Sequence, residues 1–462
     1  MPATALNLPI DSPDTGMGPQ RLRRVLIVSD HPTESLKVTK NLRRLDLDVQ
    51  LTLFDGNTLS SVPTATPDAI LCHLIDYPEF STKLAKVMKA HYKSKSVPLI
   101  GALSRPALSI SEAFDSTIFA PMHASQIANR VSAMIRLGIM EGEIERRLET
   151  LKEDFGQTPE ISDFAINKKF RVLFIGKASP SFMVIINALQ DKGVDVIAAF
   201  TSFSAFDYLH GEPFDAVIMN ALEHSEPTFS ISEAMRRNSK LYHTPTLFLV
   251  NGETFTDFEG AYARGARDII DMHADSDEIS GRILELANYH RVHEQLKLDF
   301  QQISIEVASD SSKSAYSPEF MLAHLPRMVR DAEKMSRPLT LVGLKLLPSS
   351  IDNVVATAIE SAFAETIELI GNLIRMQDVL CRWEEDTLIL SLFDTTEAEA
   401  RIVLNRIRAL LDCSIFESGS LIGNGLSISA QSKIIGCMDG SIDVKNMLAG
   451  LVASLRQDPD EV

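Results

Sequence analysis

The sequence has few of the residues that build disulfide frameworks or metal clusters. Its 462 residues include four cysteines, Cys72, Cys381, Cys413 and Cys437, which lie far apart and form no C-x-x-C pair. This spacing predicts reduced, mostly buried thiols rather than a disulfide framework or a zinc site. The eleven histidines show no H-E-x-x-H spacing, so neither a metal ion nor a cofactor is expected.

Long apolar runs and positive charge are also lacking. No run reaches the roughly 18 residues that a membrane span needs, and residues 1–24 lack the apolar stretch of a signal peptide. The sequence predicts a cytosolic protein with a disordered N-terminus over residues 1–23. The 45 Lys and Arg against 62 Asp and Glu give a net charge of −17, which argues against a broad nucleic-acid surface. A small anionic ligand can still bind at a few local arginines.

What is present is an internal repeat. The length predicts about three domains, and short apolar runs alternate with helical segments in a pattern that restarts after about 145 residues. The alternation predicts two α/β domains with parallel sheets. The runs are VLIVSD, DVQLTLF, DAILCHL and VPLIGAL, then FRVLFIG, VDVIAAF, FDAVIMN, TPTLFLV and ARDIIDM. The predicted domains are 24–137 and 169–292, followed by helical linkers at 138–168 and 293–309.

The pattern changes after residue 309. Strands separated by helices, with a hairpin at 375–393, predict an α+β domain over 310–458 with a mostly antiparallel sheet. The expected helices lie near 318–335, 353–373 and 395–412, and the expected strands lie at 338–347, 386–393 and 426–435.

The first two units resemble the receiver domains of response regulators, which have a flavodoxin-like fold. That resemblance implies acids for Mg²⁺ after the first strand, a phospho-acceptor Asp at the end of the third, and a Lys after the fifth. In the first unit Asp30 is retained, but His73 stands at the acceptor position and Ala120 at the lysine position. Asp76 is a poor substitute because it would lie ~10 Å away.

The second unit departs further from the receiver pattern. Gly176 and Lys177 replace the acids, Asn220 stands at the acceptor position and Asp271 at the lysine position. Both units are therefore expected to be degenerate receivers that serve as scaffolds.

The third unit resembles the GGDEF domain of diguanylate cyclases. The resemblance rests on RMQDVLCRWEEDTLILSL, residues 375–392, where Arg-x-x-Asp precedes a hairpin tip by five residues. Two receivers followed by such a domain is the layout of PleD-type response regulators, and it covers residues 24–458. In that family two domains meet in a homodimer, each holding a GTP, to make cyclic di-GMP.

The residues needed for that chemistry are eroded. The tip reads Glu384, Glu385, Asp386, Thr387 and Leu388 where the family has Gly-Gly-Asp/Glu-Glu-Phe. Both glycines are lost, and like charges beside a triphosphate cost on the order of several kcal/mol.

Four further positions of the family's pattern are altered. Lys345 and Leu347 stand at the metal-binding positions of the family, Asp310 is all that remains of its entry segment, and its closing lysine falls near Gln457. The resemblance thus implies a degenerate cyclase without activity.

The family's inhibitory site is retained instead. Arg375 and Asp378 stand in its Arg-x-x-Asp positions, and Arg406 follows 31 residues later, as the family requires. Arginine can fork onto a guanine edge or a phosphate, and a carboxylate can accept from guanine N–H groups. Another Arg-x-x-Asp, Arg43 to Asp46, is interpreted as a surface pair.

The sequence therefore predicts a catalytically inactive, dimeric cyclic di-GMP effector. By resemblance to a family member with a degenerate loop, it is expected to act as an adaptor that recruits protein partners for cell-cycle-regulated proteolysis at a cell pole. Two alternatives stay open. One is an active diguanylate cyclase, and the other is a dimeric scaffold that binds no ligand.

Overall fold

The computed structural model describes twelve stretches of the chain. They are residues 21–75, 78–92, 97–103, 113–120, 122–161, 169–178, 180–222, 225–306, 315–349, 356–416, 425–437 and 443–456. The expectations for residues 1–20, Asp76, Asp310 and Gln457 lie outside these residues, as do parts of both predicted linkers.

The described residues divide into two compact units. One comprises residues between 22 and 138 and between 163 and 295, and the other comprises residues between 139 and 162 and from 296 onward, together with Arg21. Both sequence repeats thus fall in the first unit. The boundaries expected for the individual domains stay predictions.

The first repeat is a doubly wound α/β domain. Its parallel strands run in the order β2-β1-β3-β4-β5, with Val25 of β1 beside Val49 of β2 and Ala69 of β3. The strands are β1 Arg23–Ser29, β2 Leu47–Leu53, β3 Ala69–His73, β4 Leu99–Leu103 and β5 Ser116–Phe119. The described helices are α1 Pro32–Arg43, α2 Ser81–Tyr92 and the start of α3 Ala124–Asp154.

The second repeat has the same topology. Its sheet order, β7-β6-β8-β9-β10, places the first strand of the repeat second in the sheet, as in the first domain. The strands are β6 Arg171–Ile175, β7 Asp195–Ala199, β8 Ala216–Asn220, β9 Thr246–Val250 and β10 Asp268–Asp271. The helices are α4 Pro180–Gln190, α5 Ser202–Gly211, α6 Ser225–Arg237, α7 Phe258–Ala263 and α8 Ser276–Glu306.

Both sheets have the flavodoxin-like strand order, and the predicted fold class is confirmed. The central strands read as continuous apolar runs because helices cover both faces of a parallel sheet. In β6, for example, Val172 and Phe174 pack into one apolar cluster while Leu173 and Ile175 pack into another.

Helices α3 and α8 are longer than any other described helix, with 31 residues each. The linkers expected at 138–168 and 293–309 are, in their described parts, largely continuations of these helices. Helix α3 ends at Asp154, and Gly156 supplies the left-handed conformation (φ 67°) that stops it. Residues 155–161 are not helical, so the first linker is helical over only part of its predicted length.

The third sheet is antiparallel, as predicted. Its order is β12-β13-β11-β14, from β11 Leu339–Pro348, β12 Val379–Arg382, β13 Thr387–Phe393 and β14 Ile428–Gly436. The helices around it are α9 Pro318–Lys334, α10 Ala356–Leu373, α11 Glu397–Asp412 and α12 Val444–Arg456.

Alternation along β11 separates the two faces of this sheet. Val342, Leu344 and Leu346 share an apolar cluster with α10 and α11. On the other face a side chain at Gly343 would meet Leu451 and Leu455 of α12, so glycine is needed for that helix to approach. Helices α10 and α11 therefore lie on one face, and α12 lies on the opposite face.

No helix within the described residues is long and apolar enough to cross a membrane.

Candidate ligand-binding site

The site begins at the turn that joins α10 to β12. The backbone N–H of Asp378 donates to the carbonyl of Arg375 (2.9 Å), and the N–H of Arg375 donates to Oδ2 of Asp378 (3.0 Å). This reciprocal pair closes the Arg-x-x-Asp turn. It fixes the chain immediately before the strand hairpin.

The other carboxylate oxygen of Asp378 is in an unusual position. Asp378 is 7% exposed, and its Oδ1 has no hydrogen-bond partner among the described residues. Burial raises the pKa of this carboxyl to about 6, although Arg375 and the turn N–H act in the opposite direction. A buried carboxylate with one unsatisfied oxygen costs stability, and such sites are often functional.

The two arginines of the predicted site differ in exposure. Arg375 is exposed, whereas Arg406 on α11 is half-buried and interacts with its surroundings. Thr396 and Glu399 form a capping box that fixes the start of α11. Helix α11, which carries Arg406, packs on the same face of the sheet as α10, the helix that precedes the turn.

A further residue, Arg147 on α3, was missed by sequence reasoning. Its Nη2 donates to the carbonyls of Met376 (3.1 Å) and Asp378 (2.9 Å), which belong to the closed turn. Its side chain is almost fully buried. A buried arginine in a predicted linker helix leaves no signal in sequence, because charged residues on such helices usually face solvent.

The hairpin tip differs from the site in exposure and charge. Glu384 and Glu385 are exposed, and Glu384 forms an ion pair with Arg456 of α12. The N–H of Trp383 donates to the carbonyl of Thr387 (2.8 Å), which closes the tip. Asp386 accepts from the hydroxyl of Thr387 (2.8 Å). The tip is thus a solvated turn with its own internal partners.

The strands beside the tip are built for packing. Thr387 and Leu388 are buried at the start of β13. Arg382 pairs with Glu360 (3.0 Å). Lys345, at the expected metal position, lies opposite Thr387 in the ladder, and Leu347 is exposed. The described residues contain no group of three or more His, Cys, Asp or Glu side chains that could hold a metal ion.

The expected acceptor positions of the two doubly wound domains lie at the ends of β3 and β8. His73 is buried at the end of β3, and burial is the main cause that lowers its pKa. Asp30 accepts from the backbone N–H of Ile75 (2.8 Å). Asn220 accepts from the N–H of Leu222 (3.0 Å) and thereby closes the turn after β8.

The expected lysine positions are used for structure as well. The carbonyl of Ala120 accepts from Nη2 of Arg282 on α8 (3.1 Å). Asp271 accepts from the N–H groups of Gly252 (2.5 Å) and His273 (2.7 Å). Ala120 and Asp271 therefore take part in hydrogen bonds within the fold at the two positions where a lysine was expected.

These features define the class of the protein by its fold: two flavodoxin-like, doubly wound α/β domains followed by an α+β domain with an antiparallel sheet. In sequence the chain is similar to the response regulator PleD of Caulobacter vibrioides, in each of two strains, with 22% identity over 209 residues. The match covers 45% of this chain and 46% of PleD, so the chain spans about half the length of the curated relatives it matches. No protein-family model matches the chain.

Solved structures similar to parts of the chain include receiver and GGDEF domains. A Thermotoga maritima response regulator is 22% identical and covers 26% of this chain and 99% of its own, with a TM-score of 0.24. The GGDEF domain of FimX from Pseudomonas aeruginosa is 14% identical, covering 32% and 91% (TM-score 0.26). That of DgcB from Caulobacter crescentus, solved with c-di-GMP, is 12% identical, covering 32% and 85% (TM-score 0.26). The c-di-GMP in that structure is bound by DgcB.

Proposed function

We propose that this chain is a catalytically inactive GGDEF-type response regulator that binds cyclic di-GMP at Arg375, Asp378 and Arg406. The observation that carries the proposal is the carboxylate of Asp378, which is buried beside an exposed arginine with Oδ1 lacking a hydrogen-bond donor among the described residues. A guanine base offers the missing donors, N1–H and N2–H₂, to that oxygen.

The arginines suit the rest of such a ligand. A guanidinium group can fork onto the guanine O6/N7 edge or a phosphate and can stack on a purine. Arg375 is exposed at the turn that follows α10. Arg406 is on α11, which packs on the same face of the sheet as α10. A divalent anion with two guanines matches this combination of two cations and one carboxylate.

The absence of turnover is proposed from the tip and the strand beside it. A triphosphate with two Mg²⁺ ions needs a close backbone approach and several carboxylates. Here exposed Glu384 and Glu385 replace the glycines, and Lys345 stands where a metal ligand is required. Only Asp386 of the metal set is retained.

Because the protein is proposed to catalyse no reaction, we infer that the effect of bound cyclic di-GMP is transmitted through contacts with other proteins. The combination of an intact Arg-x-x-Asp and a degenerate tip is similar to that of the cell-cycle adaptor PopA. By that similarity, cyclic di-GMP shifts this protein toward an arrangement that recruits partners for regulated proteolysis, because it binds that arrangement preferentially.

Titration calorimetry with cyclic di-GMP on the full-length protein tests this proposal. The wild type is expected to bind at micromolar ligand, and Arg375→Ala or Arg406→Ala is expected to weaken binding by roughly 10- to 100-fold, because a charge-assisted contact is lost. Arg401→Ala is the matched control, since Arg401 is an exposed arginine on the same helix.

The two alternatives give different results in the same experiments. A wild type that binds no cyclic di-GMP would support the ligand-independent scaffold and refute the proposal. Formation of cyclic di-GMP from GTP and Mg²⁺ by the wild type would instead identify an active cyclase. Equal loss of affinity in Arg401→Ala would show that the effect of removing an arginine is not specific to the site.

A further inference from the structure

The guanidinium of Arg147 contacts the backbone of the turn from Arg375 to Asp378. Nη2 donates to the carbonyls of Met376 and Asp378, at 3.1 and 2.9 Å. The turn's own hydrogen bonds use the N–H and carbonyl of Arg375 and the N–H and Oδ2 of Asp378. Arg147 therefore satisfies carbonyl groups of the turn that its internal bonds leave open.

The guanidinium is itself held in place from other sides. Its Nε donates to Glu143 (2.7 Å), its Nη1 donates to the hydroxyl of Tyr316 (3.1 Å), and its plane packs over the ring of Phe300 (4.8 Å to the centroid). All three nitrogens are thus used, and the group has little freedom to move independently of the turn.

Glu143 anchors this arrangement. It is fully buried, and it contacts Arg146 (3.0 Å), Arg147 (2.7 Å) and His324 (3.1 Å). Burial opposes its ionisation, but His324 and the two arginines outweigh burial and hold its pKa well below the usual range. The charge that fixes Arg147 is therefore present throughout the physiological pH range.

We propose that Arg147 is a positioning residue for the ligand-binding turn, so that residues 139–154 of α3 form an integral part of the site. Nη2 holds the carbonyls of Met376 and Asp378, while Nε and Nη1 fix the plane of the guanidinium through Glu143 and Tyr316. The inference that Arg147 affects the binding of cyclic di-GMP rests on the proposed function. The inference that Arg147 orders the turn does not.

The coupling this creates is reciprocal. If the position of Arg147 sets the geometry of the turn, a shift of this segment of α3 changes ligand affinity. Ligand binding in turn stabilises the segment by the same free energy. The segment therefore responds to ligand binding although it does not contact the ligand. Its link to the site is the pair of hydrogen bonds from the Arg147 side chain to the backbone of the turn.

Arg147→Lys in the full-length protein is the test, with Arg146→Lys as the matched control. Both arginines are buried on α3 and bond to Glu143, but Arg146 reaches Asp331 instead of the turn. Lysine cannot reproduce the planar fork. Hydrogen exchange of the apo protein is therefore expected to rise about tenfold at residues 375–380 in Arg147→Lys, and to stay unchanged there in Arg146→Lys.

A second measurement addresses the ligand. Arg147→Lys is expected to weaken cyclic di-GMP binding by about tenfold, and Arg146→Lys to leave it near the wild-type value. Tyr316→Phe provides a milder variant that removes one anchor of the guanidinium, and it is expected to raise exchange in the turn to a smaller extent. It keeps the test open if Arg147→Lys does not fold.

The outcomes separate the two inferences. Unchanged exchange at 375–380 in both Arg147→Lys and Tyr316→Phe would overturn the positioning role, as would an equal rise in Arg146→Lys. If the wild type does not bind cyclic di-GMP, the proposed function fails, and the exchange data still decide the role of Arg147.

Discussion

At the scale of single residues, the two Arg-x-x-Asp tetrapeptides of this chain show why the motif alone is weak. The first begins at the last residue of α1 and the second follows α10, and each directly precedes a strand. In the first, Asp46 is exposed with a left-handed backbone (φ 58°), and Arg43 donates to the carbonyl of Val49. In the second, Asp378 is buried and closes the turn through its side chain. Burial of the carboxylate distinguishes them, and sequence spacing cannot report it.

Asp378→Asn is expected to stabilise the protein at pH 7 while weakening cyclic di-GMP binding. The pKa of about 6 in the folded state lies above the usual value of 3.8. The folded state therefore holds a proton that the unfolded state loses between these values. The contribution of this carboxyl to the stability of the wild type is fully present below pH 4. It is lost as the pH rises through 6, and the loss is ~3 kcal/mol at most.

The measurement is urea unfolding of wild type and Asp378→Asn between pH 4 and 7. Asparagine retains an oxygen for the N–H of Arg375 but carries no charge, so the stability difference in favour of the variant should grow with pH. A difference that stays constant over this range would show that the carboxyl titrates normally. Undiminished ligand affinity would show that its charge plays no part in binding.

At the scale of elements, the strand and helix pattern of the third domain was predictable because local periodicity and burial coincide there. The strand expected at 338–347 is Leu339–Pro348, and the helix expected near 395–412 is Glu397–Asp412. Residues 138–168 were less predictable. Their apolar spacing indicates a helix, but Glu143, Arg146 and Arg147 are buried by contacts with residues more than 150 positions away.

The hairpin tip yields a prediction about catalysis. A double variant, Glu384→Gly with Glu385→Gly, is expected to form no cyclic di-GMP from GTP and Mg²⁺. Glycines restore the backbone approach, but Lys345 and Leu347 still occupy the positions where the family holds metal. Chromatography of the nucleotide products at high protein concentration measures this.

A variant with Asp at positions 345 and 347 in addition to the two glycines is the comparison. If the variant with the two glycines alone forms cyclic di-GMP, then Lys345 and Leu347 do not by themselves prevent metal binding, and the prediction is wrong. The ion pair of Glu384 with Arg456 is removed in both proteins, so it cannot explain a difference between them.

At the scale of the whole molecule, the first unit combines two doubly wound α/β domains that share hydrogen bonds. The carboxylate of Glu285 on α8 accepts from the hydroxyls of Ser116 and Thr117 on β5. Gln126 on α3 donates to Asp268 on β10 (2.7 Å). These bonds join the two repeats within the unit.

Incubation of the full-length protein with acetyl phosphate and Mg²⁺ is expected to add no phosphoryl group. His73 and Asn220 offer no acceptor carboxylate, and Ala120 and Asp271 supply no lysine to neutralise developing charge. Intact-mass spectrometry measures the result. A gain of one phosphoryl group located to residues 24–137 or 169–292 would contradict it.

The sequence by itself determined the order of strands and helices, the repeat of the α/β domain and the residue types on which the proposal of an inactive hairpin tip rests. These properties depend on local periodicity and on which residue type stands at a motif position. Only the tertiary structure decided that Asp378 is buried with an unsatisfied oxygen and that Arg147 bonds to the turn beside it. Both depend on contacts between segments far apart in the chain, and burial of a charge is set by those contacts rather than by its neighbours in sequence.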